Sequence, residues 1–331
     1  MNQLETDTDV ARLLRRHGIE PAVPLDVEEL SGGISCRVLR VRTEDSDVVV
    51  KQALPRLRVA EVWQADVTRA GTEARFGVVM TELVPGASPR VLATDADAHA
   101  FVMTAAPAGS APWKEALLAG VVDLDIARRV GDLLGRLHAR AAERPDLAEA
   151  FADTSNFRTL RLEPYLGVTA AAHPDLADRI AEVSAILADG GRTLVHGDVS
   201  PKNLLVTPAD DALLIDHEVA HWGQPEFDTA FVVNHLCLKA FVGPTHAGEY
   251  QRAARMLLEA YTAVAGSAGA TPQRTALILA PLLLARIDGR SPVEYLDEEQ
   301  RRTVRQLACR LVADRPGLDE LLERIFAEAR R

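Results

Sequence analysis

The period of the apolar residues changes once along this chain, at the Pro/Gly-containing segment 105–109, and that change restricts the folds open to it. Before it, residues 36–42 alternate, 47–52 form a β-branched run, and 75–83 and 100–104 repeat the strand pattern. Turn residues separate these runs: Ser31-Gly32-Gly33, Glu44-Asp45-Ser46, Pro85-Gly86 and Thr94-Asp95. A short amphipathic helix is expected over 9–17, closed by Gly18, and a single helical pattern over 67–74 interrupts the strands. Past the change, Ile126, Val130, Leu133, Leu134 and Leu137 fall at helical spacing within 125–142, and 176–187 repeats the pattern. Further helices are expected over 228–241, 249–265 and 298–313, with one β-turn-β unit, 193–195 and 204–214, among them. The expectation is an α+β chain of two lobes. A small antiparallel sheet carrying one helix occupies 1–104, and a larger, mainly helical lobe occupies 105–331.

A chain of 331 residues can supply both lobes with a core. Hydrophobic residues at 47% and charged residues at 26% fit a soluble globular protein, and a net charge of -11 argues against nucleic-acid or membrane partners. Cys36, Cys237 and Cys309 are too few, and too far apart, for a disulfide framework or a metal cluster, which suits a reducing cytoplasm. The first residues lack the basic and apolar regions of a signal peptide. The longest apolar stretch, 275–285, is broken by Pro281, is too short to span a bilayer, and reads as a buried helix. A cytoplasmic monomer or homodimer is expected.

Chemistry concentrates on His196-Gly197-Asp198-Val199-Ser200-Pro201-Lys202-Asn203. A short apolar strand delivers an acid into a loop, and an amide follows just before the next strand. That pairing suits phosphoryl transfer, in which a carboxylate orients or deprotonates a hydroxyl while an amide oxygen holds a divalent ion. Downstream, Leu213-Leu214-Ile215-Asp216-His217-Glu218 is a second strand ending in acids, so Asn203 and Asp216 could present hard oxygens to Mg²⁺. Upstream, Lys51 ends the apolar run Val48-Val49-Val50, and a lysine facing inward there needs an anionic partner, which nucleotide phosphates would supply. Glu73 is the favoured carboxylate to steady it, with Glu61 as rival. One strand earlier, Ser31-Gly32-Gly33 would let backbone N–H groups approach phosphates.

These parts follow the order of the protein-kinase set, although His-Arg-Asp, Asp-Phe-Gly and Ala-Pro-Glu are all missing. The loop H-G-D-x-x-x-x-N and the segment I-D-x-E instead resemble the aminoglycoside phosphotransferase and choline kinase superfamily, with Phe227-Asp228 similar to its later, structural segment. Val50-Lys51-Gln52-Ala53-Leu54-Pro55, with Arg58, Val59 and Trp63, is similar to the lysine segment of 5-methylthioribose kinases. That narrower resemblance is confined to the N-terminal lobe. Where that family pairs two arginines for its sugar, this chain has Arg286-Ile287-Asp288-Gly289-Arg290.

The resemblance implies a protein-kinase-like fold and an ATP- and Mg²⁺-dependent transfer to a hydroxyl of a small molecule. The acceptor would be a sugar or nucleoside, with an aminoglycoside or amino alcohol next. A catalytically silent nucleotide binder is the competing class, weakened because Lys51, Asp198, Asn203 and Asp216 are all present. By resemblance, Asp198 is the base, Asn203 and Asp216 are metal ligands, and Glu218 is a further metal or water contact. Ser31, Gly32, Gly33 and Lys51 would hold phosphates with Glu73 steadying Lys51, and Met103, Thr104 and Ala106 would hold adenine. Ser200 would touch the γ-phosphate or cap its own loop. His196 braces that loop. Lys202 is a solvated charge. Arg158, Arg161, Tyr165, Trp222 and Arg286 are the acceptor candidates, with surface ion pairs or core packing as the alternative for each.

Overall fold

The computed structural model describes residues 4–30, 36–44, 47–54 and 66–331. Helix α1 (Asp7–Arg16) opens on a reciprocal Thr6/Asp9 capping box and packs Val10, Leu13 and Leu14 against one face of a five-stranded antiparallel sheet. Its strands are β1 (Val27–Glu29), β2 (Cys36–Arg42), β3 (Asp47–Ala53), β4 (Val91–Asp95) and β5 (Ala100–Thr104), in the order β1-β2-β3-β5-β4. Within β3, Val48 and Val50 join the core beneath α1. Successive strand residues point to opposite faces, so Lys51 faces the other way, opposite Val38 and Phe101 in register.

Helix α2 (Arg69–Leu83) covers that other face and corrects the expectation of a strand over 75–83. The β-branched and aromatic run Phe76-Gly77-Val78-Val79-Met80 continues the helix because Phe76, Val79, Met80 and Leu83 all enter the main core, which outweighs local strand preference. Phe76 is wholly buried, worth about 2–3 kcal/mol in apolar transfer. Thr94-Asp95, read as a turn, closes strand β4 instead.

The remainder is mainly helical: α3 (Trp113–Leu118), α4 (Leu124–Ala142), α5 (Pro145–Ala150), α6 (Ser155–Phe157), a π-helical run Arg158–Gly167, α7 (Val168–Ala172) and α8 (Ala177–Ala188). After the strands come α9 (Glu226–Val242), α10 (Ala247–Ala265), α11 (Pro272–Asp288), α12 (Glu298–Asp314) and α13 (Leu318–Ala329). Helices α4 and α10 lie in close contact at Gly131, where a Cβ would stand 2.1 Å from the Leu257 carbonyl oxygen. The apolar stretch over 275–285 is the buried centre of α11, as expected. Among the described residues no helix is long and apolar enough to cross a membrane.

The expected β-turn-β unit is two separate pairings. Strand β7 (Thr193–Val195) pairs with β10 (His221–Gly223), whereas β8 (Leu204–Val206) pairs with β9 (Ala212–Leu214) and with β6 (Ala111–Pro112). The loop between β7 and β8 is therefore anchored in two different small sheets, and so is the segment between β9 and β10. Both carry the acids singled out above.

Candidate active site

The turn after β7 depends on Gly197, whose φ of 79° lies in the left-handed region and whose Cβ, if present, would sit 2.9 Å from the Val219 carbonyl oxygen. Asp228, wholly buried at the start of α9, accepts the amide protons of His196 and Gly197 at 2.8 Å each and contacts His138 Nε2 at 3.2 Å. Removing such a buried, fully bonded carboxylate would cost about 3–5 kcal/mol, so Asp228 fixes the loop. His196 Nδ1 accepts the Asp198 amide proton at 3.0 Å, which leaves Nε2–H to donate to the Ile215 carbonyl at 3.1 Å. Burial holds this imidazole below its ordinary range. It is a neutral brace between the two acid-bearing segments.

Asp198 is nearly buried and accepts from Asn203 Nδ2 at 2.8 Å and Arg161 Nη2 at 2.7 Å, with Lys202 Nζ at 3.5 Å. Asn203 Nδ2 also reaches the Asp198 carbonyl at 3.0 Å, so the amide oxygen Oδ1 is turned away from the loop. Ser200 is tied to the loop by its backbone, but its buried hydroxyl has no hydrogen-bond partner among the described residues and caps nothing. Lys202 is half-exposed, and the Asp198 carboxylate holds it above its ordinary range.

Opposite stands a buried charge array. Lys51 Nζ donates to Glu73 Oε1 at 2.7 Å and to Asp216 Oδ1. Burial works against its charge, yet Asp216 and Glu73 hold it well above the usual lysine range. Burial pushes Glu73 up to about 7 against the pull of Lys51, while Asp216 lies below the carboxylate range because Lys51 and Lys202 outweigh its burial. Asp216 adopts φ 67°, a strained conformation worth about 1–3 kcal/mol for a non-glycine residue. Glu73 Oε1 also accepts the His217 amide proton at 3.3 Å, and the Phe76 ring meets His217 and His196 at 4.6 and 5.6 Å. Helix α2 is thereby coupled to both acid-bearing segments.

Glu218 is engaged differently from the expectation of a metal or water contact. Arg69, wholly buried in the first turn of α2, donates through Nε to Glu218 Oε2 at 3.0 Å and through its other nitrogens to the Asp66 and Leu54 carbonyls. Nothing in the local sequence around Arg69 signals this role. Arg161, one of the acceptor candidates, lies on Asp198 itself, carried by the π-helical run that contains Pro164. The same run places Tyr165 with its hydroxyl 2.9 Å from Arg286 Nη1. Arg158 is exposed, and Trp222, in strand β10, donates its indole N–H to the carbonyl of Gly191, just before β7, at 2.9 Å, so neither joins this group. Met103 pairs with Val49 and Val91 in the sheet, and the Thr104 amide bonds the Arg90 carbonyl; the Ala106 backbone has no bonded partner among the described residues. Ser31, Gly32, Gly33 and Glu61 lie outside the described residues.

The donor set fits a magnesium ion. Asn203 Oδ1 and the Asp216 oxygen not bonded to Lys51 are hard donors on adjoining segments. Magnesium commonly takes one or two protein oxygens and completes its shell with phosphate and water. Among the described residues no three His, Cys, Asp or Glu side chains gather into a metal-binding group.

Four buried histidines, His196, His217, His221 and His235, are all held below 6.5 primarily by burial. Below 6.5 the unfolded chain therefore binds more protons than the folded one, and stability falls as pH drops, by up to about 1.4 kcal/mol per group per pH unit. Glu73, raised to about 7, acts in the opposite sense between 4.5 and 7, one group against four. The expected result is a Tm that decreases from pH 7 to pH 5, measured by thermal denaturation; a Tm that rises over that interval would contradict the buried neutral state of these rings.

Residues 26–266 match the family model described as "Phosphotransferase enzyme family". Methylthioribose kinase 2 of Oryza sativa subsp. japonica is 24% identical over 253 residues, covering 68% of this chain. The match spans 59% of the rice protein's length. Among solved structures, macrolide 2'-phosphotransferase from Brachybacterium faecium superposes with a TM-score of 0.56 at 18% identity, covering 97% of this chain and 98% of its own. Choline kinase from Streptococcus pneumoniae gives 0.52 at 14% identity, covering 93% and 99%. These likenesses establish the two-lobed protein-kinase-like fold.

Proposed function

We propose that this chain, which belongs to the phosphotransferase enzyme family, transfers the γ-phosphoryl group of ATP to a hydroxyl of a small metabolite. One observation carries the reading: the Lys51–Glu73–Asp216 array and the Asp198–Asn203 loop form a continuous set of groups. They are linked by the Ile215–His196 hydrogen bond and by the Asn203 carbonyl, which accepts the Ile215 amide proton at 3.0 Å. Nucleotide would lie between residues 1–104 and 105–331, adenine against Met103, Thr104 and Ala106, phosphates on Lys51 and the Ser31-Gly32-Gly33 turn. Asn203 and Asp216 would hold Mg²⁺, which when bound neutralises phosphate charge. Glu73 fixes the direction of the Lys51 ammonium, and Arg69 keeps Glu218 aside.

Asp198 orients the acceptor hydroxyl and accepts its proton as the new O–P bond forms and the β–γ bridging bond breaks, giving R–OPO₃²⁻ and ADP. Arg161 and Lys202 pair with the Asp198 carboxylate, and the Ser200 hydroxyl, without a partner among the described residues, is available to the transferred group. The similarity to methylthioribose kinases favours a sugar hydroxyl as acceptor. The test is ADP release with Mg-ATP across sugars, nucleosides, aminoglycosides and amino alcohols. Acceptor-dependent release is expected for the sugar class, and tight nucleotide binding without release on any acceptor would shift the reading to a silent binder.

A further inference from the structure

Helix α9 presents Phe231, His235 and Lys239 at four-residue intervals, a stripe about 12 Å long on one face. At one end Phe231 meets the Tyr165 ring at 5.9 Å, and Tyr165 lies between the guanidinium of Arg161, 5.9 Å from its ring, and that of Arg286, 5.4 Å away. Arg161 leads directly to Asp198. At the other end the Lys239 ammonium sits 4.8 Å from the Tyr295 ring centre, with no ion-pair partner among the described residues. Lys114 closes the ring of charge: its amide donates to the Pro201 carbonyl of the catalytic loop at 3.0 Å, and its side chain pairs with Glu294.

This stripe is poor in hydrogen-bond partners. Both ring nitrogens of His235 and the Tyr295 hydroxyl are buried without a partner among the described residues, and so is Nε of Arg286, whose Nη1 donates to the Tyr165 hydroxyl and to the Ser291 carbonyl and hydroxyl. His235, Lys239 and Arg286 are each at least nine-tenths buried. Arg161, Lys202, Lys114, Lys239 and Arg286 meet only the Asp198 and Glu294 carboxylates within this group. A buried ammonium without a counter-ion is costly, and folds keep one where a ligand supplies the charge.

We infer that the acceptor carries an oxyanion, a carboxylate or a phosphate ester, which Lys239, Arg286, His235 and Tyr295 bind while its hydroxyl lies at Asp198. The inference rests on the kinase reading for the role of Asp198, and on its own geometry for the anion. Burial, together with Lys114 and Arg286 and against the pull of the Glu294 carboxylate, brings Lys239 down to about 7, so an arriving anion would restore its full charge. Burial and the charges of Lys239, Arg286, Lys202 and Lys114 hold His235 well below its ordinary range, leaving one ring nitrogen as a donor. The nucleotide phosphates have their own lysine, Lys51, whose partners Glu73 and Asp216 belong to the opposite array.

The test is calorimetric titration of the full chain, without nucleotide, using ribose against ribose 5-phosphate, glycerol against glycerate and glycerol 3-phosphate, and choline. Anionic probes are expected to bind at least about tenfold tighter than their neutral counterparts, and Lys239→Met to remove about tenfold or more of that affinity. The contrast between glycerate and glycerol 3-phosphate tells carboxylate from phosphate. Lys239→Met should also raise Tm, because it deletes a buried unpaired charge; Tyr295→Phe, which removes only a hydroxyl, should weaken anion binding with the fold intact. Equal binding of neutral or cationic probes, no binding of anionic ones, or loss of Mg-ATP affinity in Lys239→Met would overturn the inference. ADP release by the unaltered chain reports separately on the kinase reading.

Discussion

Replacing Asp198 by alanine is expected to lower turnover by about 10³-fold or more, the range general-base removal spans when positioning is lost with it, while Mg-ATP affinity stays near that of the parent chain. The separation follows from the geometry. Asp198 bonds to Asn203 Nδ2, Arg161 and Lys202, whereas Lys51 bonds to Glu73 and Asp216. Loss of the carboxylate leaves Arg161 and Lys202 without their shared anion but leaves the lysine array whole. Asp198→Asn, which keeps shape and removes the base, controls for local rearrangement and should be nearly as inactive. ADP release by either variant at close to the parent rate would remove Asp198 from the reaction.

Replacing Asp216 by alanine is expected to act on the other side of the site, weakening Mg-ATP binding by about 100-fold or more through loss of a hard metal ligand. Two local effects accompany it. The Lys51 ammonium loses one of two carboxylates that hold it charged, and alanine inherits a φ of 67° that suits it poorly. Asp216→Asn keeps the side-chain shape and should recover folding, but little nucleotide affinity. Titration of Mg-ATP into both variants is the measurement, and parent-like affinity in Asp216→Asn would exclude Asp216 as a metal ligand.

The residues legible in the sequence were those whose signal is local. Asp198 and Asn203 stand five apart on one loop bounded by apolar strands, and Lys51 ends a β-branched run. Glu73 was separable from Glu61 only by a preference, and the bond from Lys51 at 2.7 Å now speaks for it. The helix bearing Glu73 reads short in the sequence because the run around Phe76, Val79 and Met80 has the pattern of a strand when its neighbours are unknown. What makes them helical is burial against a core assembled from α4 and α9. The β7–β10 pairing is not legible in the sequence for a related reason: strands of three residues carry too little pattern to specify a partner.

The amino-acid order alone determined the α+β division, the order of the phosphate-binding and acid-bearing segments, and their place in a kinase-like architecture. Each of these is written in periodicity or in motifs spanning a few residues. Tertiary structure decided which charges meet. Lys51 and Asp216 lie 165 positions apart, Arg69 and Glu218 149 apart, and Arg286 and Tyr165 121 apart. It also decided that Arg161 pairs with Asp198, and that Lys239 lies buried with no ion-pair partner among the described residues. Pairings of this kind arise from packed helices and sheets bringing distant backbone together, so no local sequence signal marks them.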